Sequence, residues 1–138
     1  MANGIDLLMA DHRRVEELFA KFDETRDGTI VGEILDALTG HDYAEHAALY
    51  PLAAALTNNA ALLQRLMGAH SEVKKIIEHL RGLEGAPLVD AVARLKAAIT
   101  KHVADEETNL FPALEKIATP AQLDELGARV EHAKQRGG

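Results

Sequence analysis

The chain has no cysteine and no tryptophan, and aromatic residues make up only 4% of its 138 positions. Without cysteine there is neither a disulfide framework nor a thiolate metal site, so a metal would have to be held by His, carboxylate, Tyr or backbone oxygen. Basic residues are also scarce: 15 Lys and Arg stand against 22 Asp and Glu, a formal charge of −7, which argues against nucleic acid as the main partner. The opening "MANGIDLLMADHRR" lacks a basic segment followed by a long apolar run, so no signal peptide is expected. No window approaches the roughly 20 consecutive apolar residues of a membrane span. A cytoplasmic protein without membrane contact is the expectation. The length suits one domain with a sizeable core.

What the chain does have is alanine and leucine in abundance, which favours helix over sheet. Turn signals divide it cleanly. "DETRDGT" (23–29) holds an Asp-Gly turn, and "TNNA" (57–60) offers Asn as a helix N-cap. "GLEGAP" (82–87) places Gly85 as a C-cap, with Pro87 in the first turn of the next helix. In "ATPAQ" (118–122), Thr119 and Gln122 form a capping box around Pro120. These signals predict helices near 4–23, 30–56, 59–82 and 87–117, then a shorter one near 120–135 before a frayed "KQRGG". Residues 1–118 are read as the bundle and 119–138 as a C-terminal helix and tail.

Apolar residues recur at spacings of three and four in each predicted helix. The stripes are Ile5, Leu8, His12, Val15, Phe19, Phe22; Ile34, Leu38, His41, Glu45, Ala48, Leu52; Leu63, Leu66, His70, Val73, Ile77, Leu80; and Leu88, Val92, Leu95, Ile99, His102, Glu106, continued by Leu110 and Ala113. Such seams with short connections predict an all-α, up-down-up-down four-helix bundle with a short C-terminal fifth helix. Each seam is interrupted by polar residues: His12; His41 with Glu45; His70; His102 with Glu106.

Register brings these interruptions together. His12 and His41 each lie about 11 residues from the first turn, roughly 16 Å along the helix axis. Glu45 and His70 lie about 11 residues from the second turn, and His70 and His102 are mismatched about the third by only about 3 Å. All six side chains therefore reach one middle layer. The chain also repeats itself. "HDYAEHAALYPLA" (41–53) aligns with "HVADEETNLFPAL" (102–114), and "DHRRVEELF" (11–19) aligns with "AHSEVKKII" (69–77). A pseudo-twofold bundle of this kind builds a central site for two equivalent atoms.

A buried carboxylate is costly unless paired or bound to metal, and an unpaired polar group costs about 1–3 kcal/mol. Four neutral imidazoles and two carboxylates offer each other few hydrogen-bond donors, whereas two cations would satisfy all six. Imidazole and carboxylate without sulfur suit iron or manganese, with zinc as a further option.

The motifs "DH" (11–12), "HDYAE…YP" (41–51), "AHSE" (69–72) and "HVADEE…LFP" (102–112) resemble the hemerythrin-like, HHE cation-binding family. The resemblance covers the chain except its tail. It implies two iron ions joined by an oxo or hydroxo bridge, with His12, His41, His70 and His102 as terminal ligands and Glu45 and Glu106 bridging. It implies dioxygen, peroxide or nitric oxide as small ligands, for oxygen or redox binding, sensing or detoxification, including catalase- or peroxidase-like activity. The alternatives are a metal-dependent sensing or interaction module and a structural metal bundle without redox chemistry. One departure stands out: respiratory members carry a further His where this chain has Lys74, which leaves each iron an open or water-filled position.

The remaining polar residues read as follows. His46 lies about 100° around the helix from Glu45 and is assigned to the surface or to supporting contacts, while Asp42 and Glu107 are placed to accept from imidazole N–H groups. His79 and His132 fall outside the layer. Tyr50 and Phe111 occupy equivalent repeat positions, and since Phe cannot ligate, packing is the expected role of both. Tyr43 should point off the seam. Lys74 should either snorkel outward or bring its ammonium near a bridging oxygen. No nucleophile elbow, phosphate loop or substrate pocket is visible, which argues against an enzyme acting on an organic substrate.

Overall fold

In a computed structural model, residues 3–137 are described. The Asn3 side chain accepts from Ile5 N–H (2.8 Å) and starts α1, Gly4–Thr25, which ends where Arg26 turns left-handed at φ 55°. Asp27 caps α2, Gly28–Ala44, by accepting from Thr29 N–H (2.9 Å). A π-helical turn, Glu45–Leu49, continues directly into α3, Tyr50–Thr57. Asn58 then turns left-handed, and Asn59 caps α4, Ala60–Leu80. Gly85, expected to close the preceding helix, instead opens α5, Gly85–Asp105, at φ 62°. A second π-turn, Glu106–Leu110, leads into α6, Phe111–Ile117. The Thr119–Gln122 capping box forms with bonds of 2.9 and 3.1 Å and starts α7, Pro120–Gly137. Gly138, at the end of the tail expected to fray, lies outside the described residues.

Every regular element among the described residues is a helix. Since α2 runs through a π-turn into α3, and α5 likewise into α6, they form five rods: a four-helix bundle with α7 added. The rod α7 packs on α1, α2 and the first π-turn, so it covers one side of the bundle. It sits close: a Cβ on Gly4 would meet Leu126 Cγ at 2.3 Å. The polar layer divides the core in two. On one side lie Leu8, Leu49, Leu66, Phe111, Leu114 and Leu126; on the other lie Phe19, Phe22, Ile34, Leu95 and Ile99.

The π-turns correct the expected seams. Ala48 is buried as expected, but Leu52 is only half-buried, and Leu49 and Ala53 are buried instead. In the second repeat Leu110 is buried, yet Ala113 is half-buried and Leu114 takes its place. The physical cause is proline. Pro51 and Pro112 each stand six positions after their glutamate. Each lacks an N–H, and its ring crowds the carbonyl four residues back, so the preceding turn widens to i→i+5 bonding.

Candidate metal centre

His12 and His41 come from α1 and α2, and His70 and His102 from α4 and α5. Glu45 and Glu106 each open a π-turn. All six are buried, the two glutamates completely. They fall into two quartets, His12–His41–Glu45–Glu106 and His70–His102–Glu45–Glu106, and within each the facing N and O atoms all lie within 4.8 Å of one another. Both quartets share the glutamates. The sequence-derived layer is therefore one cluster in space.

Carboxylates fix the imidazoles from behind. His12 Nδ1 donates to Glu107 Oε2 (2.7 Å), His41 Nδ1 donates to Asp11 Oδ2 (3.0 Å), and His70 Nδ1 donates to Asp42. With Nδ1 turned to its carboxylate, each Nε2 faces the interior and is a lone-pair donor whenever the ring is neutral. Asp42 and Glu107 thus act as the sequence suggested. Asp11 was not anticipated in this role, although its place beside His12 in the "DH" motif was the available signal.

Inside the cluster, proximity exceeds hydrogen bonding. His12 Nε2 and His41 Nε2 stand 3.1 Å apart, a contact that one proton on His41 bridges. His41 Nε2 is 3.2 Å from Glu45 Oε2, and His12 Nε2 is 3.2 Å from Glu106 Oε1, yet both carboxylate oxygens lack a hydrogen bond of acceptable geometry. His102 Nε2 is likewise orphaned, 3.2 Å from Glu106 Oε2. Although His70 Nε2 does reach Glu45 Oε1 (2.9 Å), Glu45 Oε2, Glu106 Oε1 and His102 Nε2 stay unpartnered at the centre, where a cation would satisfy them. The donor set and these orphaned atoms fit a pair of cations bridged by the two glutamates.

Tyr50 also belongs to the cluster, which corrects the expectation that packing alone explains it. Its hydroxyl lies 2.7 Å from His70 Nε2, 3.0 Å from Glu106 Oε2 and 3.4 Å from Glu45 Oε1. One hydroxyl proton cannot serve three acceptors. On a regular α-helix a residue five positions on points away, but the π-turn bonds Tyr50 N–H to the Glu45 carbonyl and brings both side chains to one face. The Glu-to-Pro spacing was the signal for it. Phe111, its repeat counterpart, stacks on His12 at 5.8 Å.

Without a cation the cluster stores protons. Burial opposes charge on His41, but the Glu45 charge and the hydrogen bonds that His41 donates to Asp11 and Glu45 outweigh it and lift His41 to about 10. The same contest, won by Glu106 and Glu45, brings His102 to about 9. Burial would raise Glu45, yet His41 and the surrounding hydrogen bonds hold it well below the usual carboxylate range. Burial and the two glutamate charges push the Tyr50 phenol far up, so it keeps its proton.

The other residues take peripheral places. His46 is exposed, with Nε2 3.3 Å from Asp42 Oδ1. His79 and His132 are exposed and remote from the layer, and Tyr43 points off the seam. Lys74 snorkels outward, its Nζ 3.7 Å from Asp42 Oδ2, and does not enter the cluster. A cavity of about 290 Å³ opens past Lys74 and reaches His41, His70 and His102 between α2, α4 and α5. No motif or spacing in the chain had marked it.

A helical bundle with paired His and Glu donors at its centre defines a class, the cation-binding four-helix bundles. Within that class, the family profile described as hemerythrin HHE cation binding domain matches residues 3–114 and, in a second overlapping match, residues 62–136, and the chain belongs to this family. A hemerythrin HHE cation-binding domain-containing protein of Mycobacterium kansasii has a similar crystal structure, with a TM-score of 0.84 and 24% identity over 99% of this chain and 90% of that one. A curated protein of Nostoc sp. named DNA nickase is 28% identical over 137 residues, which are 95% of this chain but only 39% of that protein. No helix of the described residues is long and apolar enough to cross a membrane.

Proposed function

We propose that the chain is a cytoplasmic non-heme di-iron protein that binds or reacts with dioxygen, peroxide or nitric oxide. One ion would be held by His12 and His41, the other by His70 and His102, with Glu45 and Glu106 bridging both and an oxo or hydroxo bridge between them. The observation that carries this reading is the pair of quartets sharing two fully buried glutamates. An iron pair in that position supplies two-electron redox chemistry toward small oxygen and nitrogen species.

The chain's own residues supply the rest. Asp11, Asp42 and Glu107 orient their imidazoles and hold the inward nitrogens as lone-pair donors. Tyr50 keeps a proton at its hydroxyl beside both glutamates, ready for donation at the His70–His102 side. Leu38, Val73, Ile77 and Ile99 line the cavity and limit water around the cluster, while its volume admits a diatomic molecule or peroxide. Lys74, where respiratory members carry His, leaves that approach open. The nickase name belongs to a longer protein, and a chain at −7 is repelled by a phosphate backbone.

The test is anaerobic ferrous loading followed by mixing with dioxygen or peroxide. The expected result is two irons per chain and rapid conversion to an oxidised, near-ultraviolet-absorbing form, or a reversible adduct. With peroxide, oxygen release marks the catalase-like branch. A protein that takes up no iron, or takes it up and stays inert to all three ligands, contradicts the proposal.

A further inference from the structure

The two halves of the cluster are not backed equally. In the first, His41 Nδ1 donates to Asp11, which is itself paired with Lys134 of α7. The internal repeat aligns Asp11–His12 with Ala69–His70, so the position equivalent to Asp11 is Ala69. Its counterpart imidazole is His102, and there the carboxylate is missing. His102 Nδ1 is buried with no hydrogen-bond partner among the described residues, although the side chain is only 6% exposed. Ala69 and His102 line one cavity together with Arg65, Glu72, Lys101 and Asp105. Asp105 does not substitute, because Arg65 holds it through two bonds of 2.8 Å and Asn109 through a third.

A carboxylate behind a ligating imidazole fixes its tautomer, restrains its rotation and makes the inward nitrogen more basic. From this we infer that Ala69 sets an unequal pair: the ion held by His70 and His102 is the weaker-bound one, entering second and leaving first. The inference rests on the six-residue ligand set proposed above. The cavity past Lys74 reaches both imidazoles of the labile ion, His70 and His102, and only His41 of the other half. Tyr50 stands on the His70–His102 half too, so the test must change the carboxylate and leave the phenol alone.

The experiment is a calorimetric titration of the metal-free full chain with ferrous iron under argon, with midpoint potentials measured on the loaded protein. Wild type should show two successive affinities. Ala69→Asp should tighten the weaker site about 10- to 100-fold and move the midpoint potential to a more negative value. Ala69→Asn, which offers a neutral acceptor, should fall between. Asp11→Ala should loosen the tighter site by a similar factor, because it makes His41 resemble His102. If Ala69→Asp melts as a folded protein yet both affinities and the potential stay at wild-type values, the inference is overturned. Should that variant fail to fold, an Asp11→Ala protein with unchanged affinities overturns it equally. Fewer than two ions bound by wild type would instead defeat the ligand set itself.

Discussion

The His12–His41 half and the His70–His102 half descend from one sequence pattern but are finished differently. The first is covered by α7, stacked by Phe111 on His12, and backed by Asp11 and Glu107. Among the described residues no helix is laid over the second; it carries the Tyr50 hydroxyl and a carboxylate on His70 alone, and it supplies two of the three histidines reached by the cavity past Lys74. The inward donors are the same in both halves: two imidazoles and the shared glutamates. A duplicated bundle can thus keep the atoms that face its centre and vary those behind them. Geometry is preserved by the first set, and reactivity can be divided by the second.

The largest expected effect comes from a residue the halves share. Glu45→Ala should lower iron content from two ions toward none, whereas His12→Ala should cost chiefly the ion of its own half; metal analysis after anaerobic loading and desalting distinguishes them. Loss of only one ion in Glu45→Ala would show that the halves are independent. Next in size is the cover. Gly4→Ala places a Cβ against Leu126, forces α7 outward and should destabilise the fold by about 1–3 kcal/mol in denaturant unfolding. An unchanged midpoint would mean that α7 yields freely.

Tyr50→Phe makes the second half resemble the first. It removes a buried donor from Glu106 and Glu45 and should destabilise the metal-free chain by about 1–3 kcal/mol, with less effect after loading. Melting curves of both forms decide this, and equal losses in the two would contradict it. A pH series comes next. His41 and His102 have folded pKa values raised to about 10 and about 9 from 6.5, so their stabilising protonation is complete below about pH 6.5 and is lost as pH rises through 9–10. The metal-free melting temperature should therefore fall across that window. Iron affinity should rise across it, because cations displace those protons. The smallest effect is expected of Lys134→Ala, which frees Asp11 at a partly exposed ion pair and should cost no more than about 1 kcal/mol.

Much of this was legible in the sequence because helical period is stiff. His12, His41, His70 and His102 lie on seams whose turns are marked by Asn, Asp, Gly and Pro, and counting residues from each turn was enough to place them in one layer. What the period hid was its own interruption. Reading 41–53 as a regular α-helix kept Leu52 on the seam and gave Tyr50 a packing role alone, while the π-turn before Pro51 buries Leu49 and Ala53 instead of Leu52 and turns Tyr50 onto the face of Glu45. Backing contacts were legible only where a carboxylate follows a ligand closely, as with Asp42 and Glu107. Asp11 precedes its neighbouring ligand His12 instead of following one, and like Asp42 and Glu107 it serves an imidazole on another helix, a pairing set by how the helices face each other. The cavity past Lys74 is a property of three packed helices, which no single stretch of sequence encodes.

The most direct measurement is anomalous diffraction at the iron edge on crystals of the loaded protein. Two peaks should appear inside the bundle, one within each His–His–Glu–Glu quartet and both in contact with Glu45 and Glu106. A single peak, or density only at the exposed Asp42–His46 edge, would contradict a dinuclear centre built on shared glutamates.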